Sequence, residues 1–270
     1  MNEAERVLDR GRVSLHYWTG GPPGAPLVVL THGAATDHRM FDPQVPVLHE
    51  HGFRTLRWDV RAHGRSRSGH DRFRVPDAAE DIAALLDHEG EREPVVLLGQ
   101  SIGGNISQEF LRRHPERVAA LVVIGASCNT LPLSLPDRIS LALSGPALRL
   151  VRYGRLVDAM ADASAETEES RDYLREVFRK TGRRQFLSTW RGVTRALTPD
   201  AGYRIDKPEL LLVGEHDGTG RIRRDMRRWK DRDPDCELHT IPGAGHVANL
   251  DRPDIVNRLI TRFLEKKSRT

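Results

Sequence analysis

Three residues of this chain have the types and the order needed for nucleophilic chemistry: Ser101, Asp217 and His246. A serine hydroxyl is a poor nucleophile near neutral pH and needs a base. An imidazole base in turn needs a carboxylate to fix its tautomer and stabilise the imidazolium. Ser101 lies within Pro-Val-Val-Leu-Leu-Gly-Gln-Ser-Ile-Gly-Gly, residues 94–104, where a continuous apolar run breaks at Gly99 and a segment with apolar residues at helical intervals follows (Ile102, Ile106, Phe110, Leu111). A strand that reverses so tightly into a helix needs glycine at 99 and 103, because a Cβ at either would crowd the neighbouring strand and helix. Ser101 is then left at the apex with its hydroxyl exposed over the new helix's N-terminus.

The elements that must position these groups are legible from period and length. Residues 5–19 alternate loosely around Asp9-Arg10-Gly11, which suggests a hairpin. Buried-strand patterns follow at 27–30, 53–60, 95–98, 118–124, 208–213 and 237–241. An amphipathic helix is expected over 76–88, with Pro76 near its start and Ile82, Leu85 and Leu86 inward, and a closing helix over 253–265. Strand and helix in alternation predict an α/β fold, a mostly parallel sheet with helices on both faces. Ser101, Asp217 and His246 each follow a different strand, on the edge where open sheets of this kind bind ligands. Between 127 and 200 the strand patterns give way to leucine-rich, charge-studded helical ones punctuated by Pro132, Pro136 and Pro146. The expected organisation is therefore a core of 1–126 and 201–270 with a helical insertion over 127–200.

Composition removes several function classes. The 270 residues carry a net charge of +4 from 42 Lys and Arg against 38 Asp and Glu, too balanced for a dedicated nucleic-acid binder. The basic run at 221–230 places Ile222, Met226 and Trp229 at helical spacing, so it is expected to be an amphipathic helix with an arginine-rich wet face rather than a nucleic-acid patch. Cys128 and Cys236 form no metal spacing and are expected to be reduced, buried thiols. The histidines make no ligand pattern, so neither metal nor cofactor is expected. An opening of Met-Asn-Glu-Ala-Glu-Arg lacks the apolar core of a signal peptide, and no apolar run reaches membrane-spanning length. The expectation is a cytoplasmic protein with no membrane partner, while the oligomeric state stays open. Asp59, Arg61, His63 and Arg65 form a polar turn for which a hydrogen-bonding, structural role is expected.

His32-Gly33, residues 59–66, Gly99 to Gly104, Gly214 to Asp217, Gly243 to His246 and Asp251-Arg252-Pro253 form a linked set that resembles the α/β-hydrolase superfamily over nearly the whole chain. The resemblance implies Ser101 as nucleophile, His246 as base and then acid, and Asp217 as the orienting carboxylate. The backbone amides of Ala34 and Ile102 would form an oxyanion hole, and the insertion would be a cap over the substrate pocket. Ser101 stands where haloalkane- and epoxide-processing relatives commonly place aspartate, which favours an acyl-enzyme. Gly125 to Asn129, where some members carry the acid, holds no carboxylate. His32, Gln100, Phe186 and Trp190 are candidate pocket residues, with His32 also readable as a structural histidine beside the oxyanion loop. The activity expected is that of a serine hydrolase, carboxylesterase-like, cleaving a small-molecule carboxylic ester, lactone or related acyl compound. Carbon–carbon bond hydrolysis or perhydrolysis on the same triad, or a non-catalytic ligand-binding role, are the alternatives.

Overall fold

The computed structural model describes residues 3–66 and 73–268, so the last two residues of the polar tail 266–270 lie outside the described residues. Eight strands form a single sheet: β1 (Ala4–Asp9), β2 (Ser14–Gly20), β3 (Leu27–Thr31), β4 (Arg54–Trp58), β5 (Val95–Gln100), β6 (Val118–Ile124), β7 (Glu209–Gly214) and β8 (Glu237–Ile241). Their order is β1-β2-β4-β3-β5-β6-β7-β8. The hairpin β1–β2 attaches antiparallel to β4, and every pairing from β4 onward is parallel.

The helices are α1 (Val45–Glu50), α2 (Val75–His88), α3 (Ile102–Arg113), α4 (Leu135–Leu150), α5 (Tyr153–Ser164), α6 (Glu168–Thr181), α7 (Arg183–Val193), α8 (Ile222–Arg232), α9 (Ala248–Asp251) and α10 (Pro253–Ser268). Because successive strand residues point to opposite faces, the inner strands feed two cores. Val29, Leu97, Leu121, Val123 and Leu211 pack with Ile82 and Leu85 of α2, Ile106 and Phe110 of α3, and Met226 and Trp229 of α8. Leu30, Leu98, Val122, Leu210 and Leu212 point the other way, against Leu48 of α1 and Val256, Ile260 and Phe263 of α10. Burial on both faces is why β3, β5, β6 and β7 are near-continuous apolar runs rather than alternating ones.

Helices α4 to α7 fill the span between β6 and β7. The stems of this span are stitched to each other, since Thr198 N donates to Asn129 O (2.8 Å) and Asp200 N donates to Thr130 O (2.9 Å). Pro136 falls in the first turn of α4, where a missing N–H is harmless, whereas Pro146 lies inside the helix instead of ending it. Having no N–H, Pro146 leaves the Ala142 carbonyl without its usual helical partner, and four residues of the helix follow it.

Candidate active site

The turn from β5 into α3 holds Ser101 at φ +52° and ψ −121°, a conformation that L-residues adopt only where the surroundings enforce it. The enforcement comes from close backbone approach. A Cβ on Gly99 would lie 2.4 Å from the Gly103 carbonyl carbon, and one on Gly103 would lie 2.0 Å from Thr31 O at the end of β3. Ser101 N donates to Ile124 O (2.8 Å), which ties the apex to β6.

Asp217 and His246 follow β7 and β8. His246 Nδ1 lies 2.9 Å from Asp217 Oδ2, and Thr219 N donates to Asp217 Oδ1 (2.8 Å). The aspartate side chain has no solvent exposure. Burial pushes the Asp217 pKa up, but the charge and hydrogen bond of His246, with the Thr219 donor, outweigh it and hold the carboxyl below its ordinary value. With Asp217 ionised, Nδ1 is the protonated ring nitrogen and Nε2 is left free to accept.

The two loops are locked together. A Cβ on Gly214 would meet Gly245 O at 2.0 Å, and His216 N donates to Ala244 O (2.9 Å). Gln100 Nε2 donates to His246 O (3.1 Å), so the residue before the serine holds the histidine loop. Asp251 is a support that sequence reasoning did not single out for a role. Its buried carboxylate accepts from Gly245 N (2.9 Å), Glu166 N (3.0 Å), Thr167 N and Thr167 Oγ1 (both 3.2 Å), and so joins the histidine loop to the α5–α6 connection. The signal for it was Asp-Arg-Pro after the histidine, but its partners Thr167 and Glu166 lie 84 and 85 residues away.

Ser101 and His246 line one cavity of about 270 Å³ together with Ala34 and Gln100. Leu141, Met160, Leu174, Phe178 and Trp190 of α4 to α7 form one wall, Met40, Asn105, Ser127, Thr219 and Ile222 line the opposite side, and the lining is mostly apolar. Among the described residues, no hydrogen bond uses the backbone N–H of Ala34 or Ile102, so two donors beside the serine are uncommitted. Of the other candidate pocket residues, Trp190 reaches the cavity and two do not. His32 is fully buried behind it: Nδ1 bonds to Gly33 O (2.8 Å), and Nε2 accepts from Val60 N (3.0 Å). Both ring nitrogens are thus spent on backbone, and burial lowers its pKa further, which makes it a neutral strut for the β3 loop. Phe186 is also buried, packed edge-on against Tyr153 and Phe178 inside the helical segment. Its helical spacing could not distinguish a pocket wall from internal packing.

Asp59 is structural in its contacts. It accepts from His38 N (2.9 Å), His38 Nδ1 (2.8 Å) and Arg65 N (2.7 Å). Among the described residues no cluster of three or more metal-type ligands occurs, and no helix is long and apolar enough to cross a membrane.

Residues 28–259 match the model of the alpha/beta hydrolase family. The chain is 27% identical over 273 residues to a 2-(acetamidomethylene)succinate hydrolase of Mesorhizobium japonicum, covering 96% of this chain and 95% of the relative. It is 26% identical to a carboxylesterase of Bacillus subtilis, over 92% of this chain and 83% of that one. A thermophilic esterase from Thermogutta terrifontis has the same fold, with a TM-score of 0.81 at 22% identity over 99% of both chains.

Proposed function

We propose that this chain, which belongs to the alpha/beta hydrolase family and is a hydrolase, cleaves carboxylic esters, lactones or related acyl compounds through an acyl-serine intermediate. The observation that carries the reading is the buried Asp217–His246 pair (2.9 Å) opening onto the same cavity as the strained Ser101. In this mechanism His246 Nε2 takes the Ser101 proton as Oγ attacks the acyl carbon, and Asp217 stabilises the imidazolium. The N–H groups of Ala34 and Ile102 receive the oxyanion, each such donor supplying roughly 3 kcal/mol of transition-state stabilisation. His246 then protonates the departing alcohol and activates the water that releases the acid. Helices α4 to α7 act as the cap that shapes the substrate pocket. A cytoplasmic setting accompanies the reading and is supported by two buried, unbridged cysteines.

A fluorophosphonate probe tests it. The wild type is expected to label at Ser101, Ser101→Ala to escape labelling, and Asp217→Asn to lose about 10⁴-fold in kcat on p-nitrophenyl esters, because the histidine tautomer is no longer enforced. Well-folded wild type that neither labels nor turns over such esters would point to the non-catalytic alternative. Labelling with turnover confined to dienones would move the reaction to carbon–carbon cleavage.

A further inference from the structure

Helices α4 and α7 enclose a second concavity, of about 640 Å³, lined by Arg138 and Arg149 of α4, Arg191 of α7 and Arg195 just beyond it. All four arginines are exposed, and no Asp or Glu lines the groove. Among the described residues, no carboxylate lies within ion-pair distance of any of these four guanidinium groups. Many arginines elsewhere are paired. At α8 and the residue before it, Arg221 contacts Asp137, Arg224 lies 3.0 Å from Asp137, and Arg228 lies 3.7 Å from Asp225. The groove is therefore a place where cations converge uncompensated. It also adjoins the candidate active site, because Leu141 and Trp190 line both spaces, and Trp190 Nε1 is held by Ser144 Oγ (2.9 Å) at the boundary.

Four unopposed guanidinium groups repel one another, and a multiply charged oxyanion removes that repulsion while accepting from several N–H forks at once. A neutral or purely apolar ligand gains nothing from them. A groove of this volume holds a group of small-metabolite size. We propose that the α4–α7 groove is the subsite for a phosphate-bearing arm of the substrate, whose acyl end reaches Ser101 past Leu141 and Trp190. This inference rests on the acyl-transfer reading given above. An anionic membrane is the rival occupant, since Leu135, Ile139 and Leu143 on α4 are exposed. The groove favours the small molecule because its charges line a concave space that shares Leu141 and Trp190 with the cavity, which a flat bilayer would meet only at the rim.

The test compares two water-soluble esters of one acyl group, 1-butyrylglycerol and 1-butyrylglycerol 3-phosphate, on the wild type and on Arg149→Gln/Arg191→Gln/Arg195→Gln. The ratio of kcat/KM, phosphorylated over neutral, is expected to exceed unity in the wild type and to fall at least tenfold in the triple variant. It should also decline as salt screens the groove. Calorimetric titration with inorganic pyrophosphate, on the wild type and on Ser101→Ala, reads the groove without hydrolysis: both are expected to bind, and the triple variant to lose at least tenfold in affinity. Pyrophosphate binding without turnover of either ester would overturn the acyl-transfer reading and leave an anion site standing. Equal ratios in wild type and variant, or no pyrophosphate binding, would overturn the subsite. Binding of phosphatidylglycerol vesicles, lost in the triple variant, with a ratio near one would assign the surface to a membrane and likewise overturn it.

Discussion

The carboxylate of Asp251 joins parts of the chain that meet only in the folded state, the histidine loop through Gly245 and the α5–α6 connection through Glu166 and Thr167. Removing such a buried acceptor leaves its donors without partners, so Asp251→Ala is expected to cost about 3 kcal/mol, read from urea denaturation. It should also lower kcat, because the His246 loop loses an anchor, whereas Asp251→Asn keeps an acceptor oxygen and should recover part of both losses. At this scale the sequence was most legible where backbone geometry dictates residue type. Ser101 was recognisable because its neighbours at 99 and 103 must be glycine, and Asp217 and His246 because each follows the C-terminal end of a different strand. His32 and Gln100 were legible only as polar residues near those ends. Their hydrogen bonds go to the backbone of Gly33, Val60 and His246, partners whose positions depend on how three strands align.

Elements were legible to the extent that their burial follows one period. The central parallel strands such as β5 are apolar on both faces and α2 turns one stripe inward, as their patterns predict, whereas α3 is buried on nearly every side, polar Asn105, Ser107 and Gln108 included, which its apolar spacing did not announce. The β5–α3 turn is sensitive to a single atom. Gly103→Ala would set a methyl 2.0 Å from Thr31 O and 2.7 Å from His32 O, both backbone atoms that cannot swing aside. The expected result is a loss of about 3 kcal/mol or more in thermal unfolding, with esterase activity falling further than stability as the serine is displaced. The helices of the 127–200 span were harder to interpret. Its texture announced helices, but not which arginines would face one another. The conspicuous basic run of α8 turns out to be heavily ion-paired, while Arg138, Arg149, Arg191 and Arg195 are scattered in sequence and converge only when α4 lies against α7.

Across the whole molecule the sheet separates its chemistry-bearing edge from the opposite one, and the opposite edge carries a titratable group of its own. Glu209 begins β7, is buried, and has one carboxylate oxygen without a hydrogen-bond partner. Burial, reinforced by the nearby Asp233 charge, pushes its pKa up from 4.5 to about 8. The folded state therefore holds a proton that the unfolded chain releases near pH 4.5. The associated stability is fully present below that pH and is lost as pH rises towards 8. Glu209→Gln should lessen this loss, stabilising the protein relative to wild type by roughly 3 kcal/mol more at pH 8 than at pH 5, as measured by denaturation at the two pH values.

The two backbone hydrogen bonds that join residues 129–130 to 198–200 have a consequence for how such a molecule can change. Because the ends of the helical span already meet, the intervening chain contributes little to closing the sheet, and the entropy of closing a loop depends only weakly on its length. Grafting a different helical segment onto the same stems should leave a folded sheet when the new segment again covers the sheet residues that Leu156, Val157 and Phe178 pack with and again supplies donors to Asp251, and would give Ser101 and the Asp217–His246 pair a new clientele.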